Sequence, residues 1–150
     1  MSFELLREYI QMVTVNQIPA GAGVVVVRSF PNGLKVLALQ NHDGTLDIPK
    51  GAIDENEFPL EAALRECEEE ASITQLDFRW GLVHIVNSEL RCYVAYTDQE
   101  AKIKRNPHTG IIEHSAAHWV DWNSILSNTE NYLVPCLLWA KGVIENGKNP

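Results

Sequence analysis

The stretch GAIDENEFPLEAALRECEEEAS, residues 51–72, decides how the chain folds. Pro59 suits the first turn of a helix, and Asn56 or a neighbour is placed to cap it. From there Leu60, Ala63, Leu64, Cys67 and Ala71 recur at helical spacing and form an apolar stripe. Glu66, Glu69 and Glu70 stand at i, i+3 and i+4 and share another face, while Glu68 points elsewhere, to solvent. Like charges at that spacing repel one another. Converging carboxylates need something positive among them, and hard divalent cations favour oxygen ligands. A bare acidic run is ordinarily a solvated helix face; here the residues around it point to a metal instead.

Upstream, AGVVVVRSF and LKVLALQN are β-branched and aliphatic runs joined by PNG, which predicts a hairpin. TLDIPKG predicts a short strand broken by Pro49. Residues 3–13 place Phe3, Leu6, Ile10 and Val13 at helical spacing and predict an N-terminal helix. Downstream, LDFRWGLVHIV and LRCYVAYT predict a second pair of strands, NPHTG a loop, and IIEHSAAHWVDW a further strand. WNSILSN and NYLVPCLLWAKGVIE predict helices, the second interrupted or started by Pro135. With no repeat, low-complexity tract or linker, residues 1–150 are expected to form one α+β domain. Its mixed sheet would lie between helical layers.

A formal net charge of −8 argues against a surface that seeks nucleic acid broadly. It does not exclude a nucleotide ligand, because a bound divalent cation reverses the local field. Cys67, Cys92 and Cys136 are far apart and form no CxxC, so neither a disulfide framework nor a zinc site is expected. The longest apolar run, around GAGVVVV, is too short to span a bilayer, and MSFELLREYIQ does not read as a signal peptide. The chain is therefore expected in the cytoplasm, without a membrane partner; its oligomeric state is left open.

Residues 51–73 resemble the box of the Nudix hydrolases, G-x5-E-x7-R-E-U-x-E-E-x-G-U, with U a bulky apolar residue. Gly51, Glu57, Arg65, Glu66, Cys67, Glu69, Glu70 and Ile73 meet the spacing, and Ser72 stands where the second glycine is expected. That glycine would cap the helix in the left-handed region, so serine there costs about 1 kcal/mol or less of local strain. The resemblance implies an α/β/α sandwich carrying a loop–helix–loop. It implies Mg2+ or Mn2+ bound by Glu66, Glu69 and Glu70, with the backbone carbonyl of Lys50 completing the shell. It also implies that Arg65 pairs with Glu57 and ties the loop to the helix. The implied reaction is attack by water on a nucleoside diphosphate linked to another moiety.

IPKGAIDENE followed by EHSAAHWVDW is similar to the diadenosine polyphosphate hydrolase branch, which carries PKG at the box start and E-H-x4-W beyond a later strand. Here that pattern falls on Glu113, His114 and Trp119. It implies Glu113 as a further metal ligand or the general base, and His114 as a structural residue. Trp119 and Trp122 are read as core anchors. An adenine needs a flat partner, and Phe30, Trp80, Tyr93, Tyr96 and Tyr132 are available; Tyr93 is the candidate, with His42 and Lys50 for the phosphates. The favoured substrate is a dinucleoside polyphosphate of the diadenosine tetraphosphate type. ADP-ribose or NADH pyrophosphatases and enzymes trimming or decapping RNA 5′ ends share much of the pattern. A non-catalytic nucleotide-binding module is the alternative of another class.

Overall fold

The structure, a computed structural model, describes residues 2–8 and 20–147. Residues 3–8 are helical (α1), in the segment where the N-terminal helix was expected; Ile10 and Val13 lie outside the described residues. Strands β1 (Gly21–Phe30) and β2 (Gly33–Gln40) form the expected hairpin, with Phe30 opposite Gly33. Gly33 turns at φ 122°, a conformation open to glycine but not to most residues. TLDIPKG breaks at Pro49 as expected, into β3 (Leu46–Asp47) and β4 (Lys50–Ala52). β3 pairs with β2 and β4 with β1, so the chain changes neighbours within three residues. That crossing needs Gly23 on β1: a Cβ there would lie 2.7 Å from the Pro49 carbonyl oxygen and 2.7 Å from the Lys50 Cβ.

Helix α2 (Pro59–Ala71) follows, then β5 (His84–Asn87), β6 (Leu90–Tyr96), β7 (Ala116–Val120), α3 (Trp122–Asn128) and α4 (Val134–Gly147). The sheet runs β3-β2-β1-β6-β5, with β4 also on β1 and β7 also on β2. β1 and β6 are parallel and the remaining pairs antiparallel, so the sheet is mixed. β1 is central and buried on both faces, which is why it reads as an unbroken run of valines. Ala22, Val24 and Val26 face α2, while Val25 and Val27 face α3 and α4. This is the α/β/α sandwich.

Three local expectations change. α2 seats on Ala62, Ala63, Cys67 and Ala71, all fully buried, whereas Leu64 is 40% exposed. Small side chains let the helix lie close to the strands, and the resulting rotation brings Glu66 and Glu70 onto the buried face. The helix does begin at Pro59, but Phe58 is its N-cap and Glu61 reaches back to accept the Phe58 N–H at 3.1 Å. Asn56 sits earlier in the loop at φ 65°. In LDFRWGLVHIV only the last three residues, His84 to Val86, belong to a strand (β5), because a turn closed by the Gly81 N–H on the Phe78 carbonyl interrupts the rest.

Candidate metal centre

The break at Pro49 brings the backbone of β4 against the acidic face of α2. The Lys50 N–H donates to Glu70 Oε1 at 2.7 Å. The Glu66 carboxylate lies on the bare backbone of Gly51, where an added Cβ would fall 2.1 Å from Glu66 Oε1. The first box glycine is therefore a matter of space. Burial, together with the charges of Glu69 and Glu113, pushes the Glu66 carboxyl up to about 7 against the pull of Arg65. Burial drives Glu70 further, to about 9; the Lys50 N–H opposes this, and Glu66 and Glu113 reinforce it. A cation bound among them would favour the ionised carboxylates against this upward push.

Arg65 organises the rest. Its Nε and Nη2 grip Glu57 at 2.8 and 3.0 Å, the pairing expected from the box spacing. Nη2 also donates to the Ala52 carbonyl at 2.9 Å, and Nη1 reaches Glu66 at 3.0 Å and Glu69 at 3.2 Å. One guanidinium thus binds loop, helix and two of the clustered acids. Glu57 also accepts the Asp54 N–H at 2.9 Å, and its hydrogen bond from Arg65 holds it below the usual carboxylate range.

Glu113 and His114 arrive on the segment leading into β7. One donor atom each from Glu70, Glu113 and His114 fall within 4.8 Å of one another, the metal-sized grouping found among the described residues. Glu113 is exposed and takes a hydrogen bond from Asn106 Nδ2 at 3.3 Å. His114 is buried, with Nε2 3.7 Å from Asp47 and Nδ1 3.7 Å from Glu70. Asp47 also meets the Lys50 ammonium at 3.1 Å. Burial pushes Asp47 up, but the His114 and Lys50 contacts outweigh it and leave Asp47 below its ordinary value. Sequence reasoning missed Asp47; its one signal was an acid set between apolar residues in LDIP. Glu66 and Glu69 share the helix face but are held by Arg65 here. Carboxylate oxygens dominate the set, which suits an oxygen-seeking divalent cation.

Beside β4 lies an open, shallow depression lined by Lys50, Gly51, Ala52, Ser88, Glu89 and Tyr132, among others. The Lys50 ammonium stands 5.9 Å from the centre of the Tyr132 ring. Tyr93, the candidate partner for a base, is corrected here. It is only 2% exposed, packs in the core beneath α2, and its hydroxyl donates to Glu8. Strand alternation places its ring inward, so it offers no face to a ligand. Glu8 also pairs with Arg91 at 2.9 Å, and among the described residues the Nε of this buried guanidinium meets no partner. His42 donates from Nε2 to the Ile112 carbonyl at 2.9 Å, which pins the residue before Glu113. Trp119 and Trp122 pack against the two cores as expected.

An α/β/α sandwich with a strand backbone locked to a helix of clustered carboxylates is the architecture of the box resemblance. The NUDIX domain family matches residues 18–138, and the chain belongs to that family. It is similar to the uncharacterized Nudix hydrolase NudL of Salmonella heidelberg (strain SL476), 40% identical over 76 residues, 47% of this chain and 40% of that one. NudL of Escherichia coli O1:K1 / APEC is 37% identical over the same length. The chain therefore spans 40% of the length of these curated relatives. Among solved structures it resembles a C. elegans Ap4A hydrolase binary complex, with TM-score 0.66 and 22% identity, covering 85% of this chain and 98% of that one. It also resembles the NUDIX domain of Shewanella oneidensis NrtR complexed with ADP ribose, with TM-score 0.62 and 21% identity, covering 97% and 99%. At such identities the likeness is one of fold. Among the described residues no helix is long and apolar enough to cross a membrane.

Proposed function

We propose that this chain is a divalent-cation-dependent pyrophosphatase. It would cut a nucleoside diphosphate linked to a further moiety, with dinucleoside polyphosphates of the diadenosine tetraphosphate type favoured. The observation that carries the reading is the pair of buried carboxyls, Glu66 and Glu70, seated on the backbone of Gly51 and Lys50 within reach of Glu113's charge. Burying such groups is costly unless a cation joins them. Glu66, Glu69 and Glu70 would hold Mg2+ or Mn2+, with Glu113 and the Lys50 carbonyl as further ligands. Held by these residues, such a cation would supply neutralisation of phosphoryl oxygens and a lowered pKa for the attacking water. In its alternative role Glu113, exposed beside the cluster, would not be a ligand but the base that takes a proton from the attacking water. Arg65 and Glu57 keep the loop and helix in register. Lys50 would face the phosphates, and Tyr132 would offer the nucleoside base a ring face in the open depression beside β4.

The test is a panel of diadenosine tetraphosphate, ADP-ribose, NADH and 5′-triphosphorylated RNA with Mg2+, the products resolved by chromatography. The tetraphosphate should give the highest kcat/KM. Preference for ADP-ribose or RNA would move the substrate within the class. Binding without cleavage of any of the four would replace the enzyme with a nucleotide-binding module.

A further inference from the structure

We infer that the loop from Lys102 to Gly110 clamps a phosphoryl group lying beyond those at the carboxylate cluster, and that Ser72 positions this loop. The inference rests on the pyrophosphatase reading and narrows it to polyphosphate chains of three or more phosphoryl groups. Lys102, Lys104 and Arg105 lie within four residues of a chain that has 12 basic and 20 acidic side chains. Elsewhere Arg28, Lys50, Arg65, Arg79, Arg91 and Lys141 each meet a carboxylate. Among the described residues Arg7, Lys35, Lys102, Lys104 and Arg105 meet none within 4.0 Å, and three of these five stand in this loop. Cations left unpaired on so acidic a protein are available to another anion.

Their place says which anion. Lys104 and Asn106 border, with Glu69, Glu70, Glu113 and His114, a gap with room for about one water, so a phosphoryl group would lie over its mouth rather than within it. His108 Nε2 lies 3.6 Å from Glu69 Oε1, so a second donor leans over the same acids from the loop. A phosphate chain gathered at the carboxylates by a cation would meet Lys104 and His108 with its next phosphoryl group.

The loop is built to hold this position. Asn106 Oδ1 accepts the N–H groups of His108 and Thr109 at 2.8 and 3.1 Å, and Arg105 Nη1 braces the Gly110 carbonyl at 3.0 Å. Its base is stitched to the end of α2: the Lys102 N–H donates to the Ala71 carbonyl at 2.9 Å, and Ser72 Oγ donates to the Lys102 carbonyl at 2.9 Å. Ser72 sits at φ 59°, the left-handed conformation that favours the glycine expected there. Glycine would relax the backbone but lose the hydroxyl. The departure from the box thus replaces an unstrained cap with a tether between helix and loop.

The experiment compares two inert probes by calorimetry in Mg2+, methylenediphosphonate with two phosphoryl groups and the bis-methylene triphosphate analogue with three. The wild type should prefer the longer probe. Lys104→Ala should cut that preference roughly tenfold, the scale of one charge-assisted contact, and His108→Ala by about threefold. Affinity for the shorter probe should stay within about twofold. Ser72→Gly should lower the preference without lowering the melting temperature, which a merely structural serine would not do. Unchanged preference in both Lys104→Ala and His108→Ala, or equal losses on the two probes, overturns the clamp. Unchanged preference in Ser72→Gly overturns the tether. Failure of the wild type to cut any diphosphate-linked substrate would sink the pyrophosphatase reading alone, since the probe ratio is read without turnover.

Discussion

Helices α2 and α4 pack on opposite faces of one sheet and bury different chemistry. α4 presents Cys136, Leu137, Ala140 and Ile144 to Val25, Val27 and Val94, and no charge is buried along it. Its Lys141 and Glu145 pair outside, one turn apart. α2 packs alanines against β1 and β6 and buries two carboxyls beside them. An apolar seat stabilises a fold wherever it is placed, whereas a buried carboxyl opposes folding until it is protonated or paired. The sheet therefore has a face that supplies stability and a face that gives some of it up. Arg65 limits that loss by joining Glu57, Glu66 and Glu69.

The contrast can be broken at either helix. Leu137→Ala should cost about 2–5 kcal/mol in denaturant unfolding, as a buried leucine does, with kcat per folded molecule unchanged. A loss below about 1 kcal/mol would mean that α4 does not anchor the sheet. On the other face, Glu70→Gln should lower kcat by at least about a hundredfold, near 2.7 kcal/mol of transition-state stabilisation. The same variant should unfold at a higher temperature than the parent in chelator at pH 8, because it carries no carboxyl to ionise. A rate within tenfold of the parent would remove Glu70 from the metal site.

The pH dependence sharpens the same point. The folded pKa values of about 7 for Glu66 and about 9 for Glu70 stand above the ordinary 4.5. Between 4.5 and those values the unfolded chain has released protons that the folded chain keeps. The folded state then binds more protons, and its stability falls as pH rises through that window. In chelator the melting temperature of the wild type should decline from pH 5 to pH 9 relative to Glu70→Gln, and excess Mg2+ should flatten the difference. Parallel curves for the two proteins in chelator would refute the buried-carboxyl account. The smallest effect belongs to Glu68→Gln on the exposed face, which should change stability by less than about 0.5 kcal/mol and leave kcat within twofold.

What could be read from the sequence was set by chemistry that acts locally. Charge spacing on one helix put Glu66, Glu69 and Glu70 on a shared face, and the resemblance to the box, not the spacing, implied the Lys50 backbone beside them. The run of valines in β1 announced one strand of a hairpin, and its central position came only with the sheet order. The seating of α2 was not legible, because Leu60 and Leu64 obey helical periodicity as well as the alanines do, and only the sheet selects between them. Tyr93 failed as a candidate for the same reason: alternation says that a strand residue faces in or out, not which. Asp47, His114 and Glu70 come from three separate elements, so their meeting left no mark in any window of sequence. Ser72 could be recognised as a missing glycine, but its partner at Lys102 is 30 residues away.

The pairing of Glu8 with Arg91 has a practical consequence for anyone trimming the chain. The guanidinium is 2% exposed, and Glu8, which also takes the Tyr93 hydroxyl and the Leu60 N–H, is the acid it meets. Proteolysis or an internal start codon that removed residues 1–8 would strand that cation inside the protein, at a cost of about 3–5 kcal/mol for breaking one partner of a buried pair. The truncated chain would keep every box residue and yet be less stable by that amount, so inactivity of a short form would not by itself bear on the box.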